Sequence, residues 1–260
     1  MTQRESFKNG GQRGFILLAV LMALVAATGL SGTLIYYARI EARAAASVRD
    51  GAIAAAAAEG AIRLAVFRLL SAPPAAANQG EFPLIAAGAT GIVRHADLSG
   101  RINPNIASPA LLFQVFLALG ADEAAARAAA ATVVRGRGVN AGSGPLAPFR
   151  DLDDLSRRSG LPPAMMAMLE PHMTTWWRGR PDPKRASKAV RDALILANED
   201  DLAAATQPDE RAVLIEAIVS TPSHKIAIRA AVVRLGLSDD GLSIHFLAWD
   251  PPGPRPWPAP

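Results

Sequence analysis

Residues 15–38, from Phe15 through Ala38, form 24 consecutive positions without a charged side chain, and Arg39 ends the run. At about 1.5 Å of rise per residue this makes roughly 36 Å of helix, against about 30 Å of bilayer hydrocarbon. A buried core helix this long and uncharged on every face would be unusual. The segment is therefore expected to span a membrane. Ahead of it, residues 1–14 are polar and carry Arg4, Lys8 and Arg13 against Glu5 alone. Positive charge before the span keeps the amino terminus cytoplasmic and sends the bulk of the chain outward. Tyr36 and Tyr37 fall at the far end, where amphipathic rings favour the interface.

A cleavable secretory signal would be shorter and followed by small residues at a cut site. Here the stretch after Arg39 keeps helix-forming residues to Leu70, rich in Ala, Leu, Ile and Arg and free of proline. Pro73 and Pro74 then stop it. Residues 15–71 are expected to form a single helix, with 15–38 in the membrane. Gly29, Gly32, Gly51 and Gly60 are its weak points, each costing about 1 kcal/mol relative to alanine.

Residues 80–250 read as an α+β domain. Glu81 to Asp97 contains one or two short strands around Ile92 and Val93, bounded by Gly88, Gly91 and Gly100. Ser108 is a good N-cap and Pro109 a good first helical residue, so a helix should run from there to about Leu119 and end at Gly120. Asp122 caps a second helix to about Arg135. A short helix is expected over 151–158 and another from Pro163 to about Leu169. Residues 101–115 find a weak echo in 180–194: Arg101/Arg180, Pro104/Pro183, Ala107/Ala186, Ser108/Ser187 and Ala110/Ala189. From His224 to Asp250 the pattern reads as a hairpin with its turn at 238–241, expected to join the 81–97 strands in one sheet packed on the long helix. Residues 251–260 hold six prolines and read as a polyproline tail.

A basic leader ending in Gly14, then Phe15 and a long apolar helix leading into a soluble domain, resembles a type IV pilin-like protein. Ala19 at the fifth position after Gly14, where most members carry Glu, is similar to one subclass, the minor pseudopilin K family of type II secretion (general secretion pathway protein K). Ser99 to Ser108, Pro148-Phe149, Asp153-Asp154-Leu155, Gly160-Leu161 and Leu169 to Thr174 resemble the same family. The resemblance implies an α+β fold: a pilin-like membrane-spanning helix, a small antiparallel sheet, and an inserted SAM-like (helix-hairpin-helix) helical domain over about 104–176. It also implies cutting by a prepilin peptidase between Gly14 and Phe15, with N-methylation of Phe15. The place implied is the inner membrane, single-pass, with the amino terminus cytoplasmic and the carboxy-terminal domain periplasmic. Implied partners are the I and J minor pseudopilins, the peptidase, the inner-membrane secretion platform and secreted cargo. The alternative is a membrane-anchored helix-hairpin-helix DNA receptor of the competence type. Its turns need a Gly-x-Gly amide pair for phosphate, and Gly120-Ala121 and Gly160-Leu161 lack the second glycine.

No enzyme, cofactor or metal is expected. The chain has no cysteine. His95, His172, His224 and His245 lack metal-ligand spacing, and residues 136–148 lack the carboxylates that calcium needs. Gly136-Arg137-Gly138 sits in the wrong context for a phosphate loop. Arg135, Arg137, Arg150, Arg157 and Arg158 read as a solvated face offset by Asp151, Asp153 and Asp154, and Trp176-Trp177 as packing anchors. The formal charge is +4, of which the leader supplies +2 (three positive, one negative). What remains is nearly balanced, so the basic average reports an insertion signal more than a nucleic-acid surface.

Overall fold

A computed structural model describes residues 10–71, 79–86, 88–137, 148–198, 210–238 and 241–251. Most of the leader, the hairpin turn residues 239–240 and all but the first residue of the proline-rich tail lie outside the described residues. The chain divides into two compact units, Met1–Ala52 and Ile53–Pro260. The first helix, α1, spans Gly10–Ser71 and contributes to both.

In the first unit α1 continues upstream of Phe15 into the leader. Apolar side chains from Phe15 to Tyr37 are exposed on every face. In the second unit the rest of α1 is amphipathic. Ala54, Ala58, Ala61 and Ala65 recur at helical spacing on one face, with Ile62, Val66 and Leu69 beside them, and all are buried. These small residues let the helix lie close against a sheet.

The sheet is antiparallel with five strands in the order β1-β2-β3-β4-β5: Gln79–Ala86, Ala89–Asp97, Arg211–Ser220, Ile226–Ser238 and Gly241–Trp249. The expected 224–250 hairpin is present as β4 and β5, and the strands expected over 81–97 form a second hairpin, β1 and β2. However, the two hairpins do not meet directly: β3 lies between them, pairing Val93 with Ala217 on one side and Ile215 with Ala231 on the other. Its inward positions Val213, Ile215, Ala217 and Val219 join the α1 cluster. Its alternate positions Ala212 and Leu214 join Leu98, Trp177, Ala230 and Val232 on the opposite face. Burial on both faces explains why β3 is a near-continuous apolar run without alternation. Pro83 sits in β1, an edge strand, where a missing N–H costs no central ladder bond.

Between β2 and β3 lies a helical unit. Helix α2 (Pro109–Ala118) is capped by Ser108, α3 (Glu123–Gly136) by Asp122, and α4 (Leu152–Ser159) by Asp151. Helix α5 (Pro163–Leu169) leads into a 3-10 turn, Glu170–His172. The sixth helix, α6 (Lys188–Leu196), is capped by Ser187, as the internal echo of Ser108 anticipates. Val190, Ala193 and Leu194 of α6 share one buried cluster with Leu111, Leu112, Val115 and Phe116 of α2. The helical core thus reaches past residue 176 and takes in the second turn-into-helix. Burying an aliphatic or aromatic side chain of this size stabilises by about 1.5–3 kcal/mol.

Candidate functional site

The three aliphatic hydroxyls within residues 15–38, those of Thr28, Ser31 and Thr33, each find an acceptor inside the helix. Thr28 Oγ1 donates to the carbonyls of Leu24 and Val25 at 3.0 and 2.9 Å. Ser31 Oγ donates to Ala27 and Thr33 Oγ1 to Leu30, both at 2.8 Å. In hydrocarbon an unsatisfied hydroxyl costs several kcal/mol, so this back-bonding makes the segment compatible with lipid. Tyr36 and Tyr37 meet edge to face, with centroids 6.2 Å apart. Positions 29 and 32 have nothing within 4 Å of where a Cβ would stand. The helix is long and apolar enough to cross a membrane, with none of its most apolar stretch buried, and it fits a single-pass anchor. Gly14 and Phe15, the sequence-derived processing residues, lie inside α1, and the Phe15 side chain is exposed.

The Asn103-Pro104-Asn105 turn organises the helical unit. Asn103 Nδ2 donates to the Trp177 carbonyl at 2.7 Å, while its Oδ1 accepts from the Asn105 N–H. Asn105 in turn pairs with the Phe149 backbone on both sides, donating to its carbonyl at 3.0 Å and accepting from its N–H at 2.7 Å. Two side chains thus bind two distant segments, which is why those residue types stand in that turn. Trp177 is buried and donates from Nε1 to the Arg180 carbonyl at 2.7 Å, in keeping with a packing anchor.

The arginines do structural work. Arg137 donates to the carbonyls of Pro104 and Ala107 at 2.5 and 2.6 Å, and Arg158 to that of Gly136 at 2.7 Å and to Asp154 at 3.1 Å. Desolvation pushes the Asp154 carboxyl up, but the Arg150 N–H, then the Arg158 hydrogen bond and the charges of Arg158 and Arg157, outweigh it and hold the carboxyl below its usual value. Sequence reasoning did not single out Asp97. It accepts from the Ser99 N–H at 2.9 Å and pairs with Arg185, which also holds Asp182 at 3.0 Å. Asp97 is separated from Arg185 by 88 positions, and no local pattern signals a pair so remote.

The two hairpin turns close on themselves. Gly120 (φ +91°) and Gly160 (φ +64°) take the left-handed conformation that ends a helix. The following amides are already used: Ala121 N–H donates to Phe116 O at 3.0 Å, and Leu161 N–H to Ser159 Oγ at 3.4 Å. A phosphate would have to displace those bonds. Among the described residues there is no cluster of three or more potential metal ligands.

His172 is half-buried, its Nδ1 2.9 Å from the Ser187 hydroxyl. Burial lowers its pKa from the ordinary 6.5, and the Arg101 charge lowers it further. The neutral ring is thus favoured in the folded state. Above about pH 6.5 both states are neutral and the contribution is fully present; below it the unfolded chain takes up a proton that the folded chain resists. Stability should fall as the pH drops from 7 toward 5, and His172→Gln should flatten that slope. Urea melts of both proteins at the two pH values check this, and identical slopes would contradict it.

Neither a family model nor a curated protein sequence matches this chain. Among solved structures, it is similar to one chain of the GspK-GspI-GspJ complex from the type 2 secretion system of enterotoxigenic Escherichia coli. The identity is 11% and the TM-score 0.45, over 68% of this chain and 84% of that one.

Proposed function

We propose that this chain is a minor pseudopilin of type II secretion, of the K type. The carrying observation is its first helix. Side chains over 15–38 are uncharged and exposed, with the Thr28, Ser31 and Thr33 hydroxyls satisfied internally, and the same helix ends by packing Ala58, Ala61 and Ala65 against an antiparallel sheet. A helix built this way can rest in lipid as a precursor and then pack among the helices of neighbouring subunits in a filament core, with its folded domain outside.

On this reading a prepilin peptidase cuts between Gly14 and Phe15, and Phe15 becomes the N-methylated terminus. The chain enters the inner membrane once, with residues 1–14 cytoplasmic and 39–260 periplasmic. It acts by assembly and not by catalysis. At the pseudopilus tip the helical unit and sheet bind the I and J minor pseudopilins and meet secreted cargo, while the inner-membrane platform drives the filament. Ala19 fits a tip subunit, which has no neighbour above it whose terminal amine needs a carboxylate at that position.

The amino terminus of protein recovered from membranes is the test. Mass spectrometry should find N-methylated Phe15 as the first residue. An intact Met1, or a cut beyond Ala38, would overturn the reading.

A further inference from the structure

The two copies of the turn-into-helix pattern form two pockets by exchanging parts. One pocket, of about 230 Å³, takes Gly100 and Arg101 from the first copy and Ala186, Ser187 and Val190 from the second. The other, of about 300 Å³, takes Gly179 and Arg180 from the second copy and Ala107, Ser108 and Leu111 from the first. Six lining positions of one pocket have their sequence counterparts in the other: Gly100 with Gly179, Arg101 with Arg180, Ile106 with Arg185, Ala107 with Ala186, Ser108 with Ser187, Leu111 with Val190. A reciprocal exchange of this kind is what a two-fold relation between similar copies produces.

The pockets differ in charge. The first has an ion pair in its own lining, Asp97 with Arg185. In the second copy the position of Asp97 is occupied by Trp176, and in the first copy the position of Arg185 is occupied by Ile106. Both members of the internal ion pair are therefore gone from the second pocket. It gains Arg178 instead, at the position of Ser99. Arg178 and Arg180 are exposed at this pocket, and no carboxylate among the described residues pairs with either. The wall opposite them is apolar, formed by Ala107, buried Leu111 and an exposed Ile106. The loop that carries the arginines is held in place by the Trp177 Nε1 bond to the Arg180 carbonyl and the Asn103 bond to the Trp177 carbonyl.

We infer that the Arg178–Arg180 pocket binds a segment of a partner protein that presents a carboxylate beside an aliphatic side chain. The sister pocket already holds a carboxylate against guanidinium, so the architecture accepts that chemistry. Here the described residues supply the guanidiniums and an apolar wall, and none of those lining the pocket is an acid. Guanidinium forks match carboxylate geometry in two-point contact, and the aliphatic neighbour covers Ile106 and Leu111. The inference stands apart from the pseudopilin reading, since it needs neither Gly14 processing nor filament assembly.

The full chain in neutral detergent micelles is titrated against a fluorescein-labelled hexapeptide alternating Glu and Leu. Controls are a Gln/Leu peptide, a Glu/Ser peptide and inorganic phosphate as competitor. The Glu/Leu peptide should bind saturably, and both control peptides at least about tenfold more weakly, the loss expected when a charged hydrogen bond or its apolar partner is removed. The Arg178→Gln/Arg180→Gln double variant should lose at least tenfold, and Arg101→Gln, in the sister pocket, should not. Ile106→Glu places a carboxylate at the rim of the pocket from an exposed position and should block the peptide with folding intact by circular dichroism. The inference is overturned if the Gln/Leu or Glu/Ser peptide binds as tightly. It is overturned equally if Ile106→Glu binds like the parent, or if phosphate binds as tightly as the peptide.

Discussion

Gly100→Ala is expected to destabilise the folded domain by about 3 kcal/mol, the upper end of the overpacking range. A Cβ at this position would fall on the Arg185 carbonyl and lie 2.5 Å from the Ala186 nitrogen. Those neighbours are backbone, so no side chain can rotate out of the way. This is also where the two copies meet, because the Asp182 N–H donates to the Ser99 carbonyl at 2.9 Å. Relief requires the turns to part, which breaks that bond, loosens the Asp97–Arg185 pair and opens the α2–α6 core. Gly32→Ala is the control. It has open space around it within a helix, and alanine there should be neutral or stabilising by up to about 1 kcal/mol. Urea melts in micelles compare the two, and a Gly100→Ala value within about 0.5 kcal/mol of the parent would refute the close approach.

The elements most legible in the sequence are those marked by local chemistry. Ser108-Pro109, Asp122, Asp151 and Gly160 each announced a helix end, because capping and the left-handed turn are properties of one or two residues. The uncharged run over 15–38 was legible for the same reason: a bilayer imposes its length directly on consecutive positions. Strand β3 was not. Its run of Ala212 to Val219 is buried on both faces, so it lacks the period of two that marks a half-exposed strand, and it directly follows a stretch with no helical or strand pattern. With β3 missed, the 224–250 hairpin and the 81–97 strands were expected in one sheet without the strand that lies between them. The candidate pocket shows a second limit. The echo of 101–115 in 180–194 was visible as five matches, but not that the copies would trade residues. The exchange depends on α2 packing against α6, a long-range contact that no local pattern in either segment specifies. The informative positions were those that do not match: Trp176 for Asp97, and Ile106 for Arg185.

Ala61→Asp is expected to cost more than about 4 kcal/mol and to release the sheet from its helix. Ala61 is 1% exposed and lies among Ile62, Ala65 and the inward side chains of the sheet. The side chains around it are aliphatic, so an aspartate there is a charge buried in an apolar core, among the most costly substitutions available. Protonating it removes the charge but still leaves a carboxyl in a space shaped for a methyl group. The small side chain matters as well: the alanine stripe sets how closely the helix approaches β3, and a larger group wedges them apart. Arg63→Asp, two positions along on the exposed side of the same helix, changes a charge without entering the cluster and should stay within about 0.5 kcal/mol. The two variants separate anchoring from folding. Residues 15–38 are untouched in both, so both should fractionate with membranes, but only Ala61→Asp should lose residues 79–251 to brief protease treatment. Equal resistance of the two would mean that the sheet folds without this face of the helix. The helix would then be only a tether for the domain rather than one wall of its core.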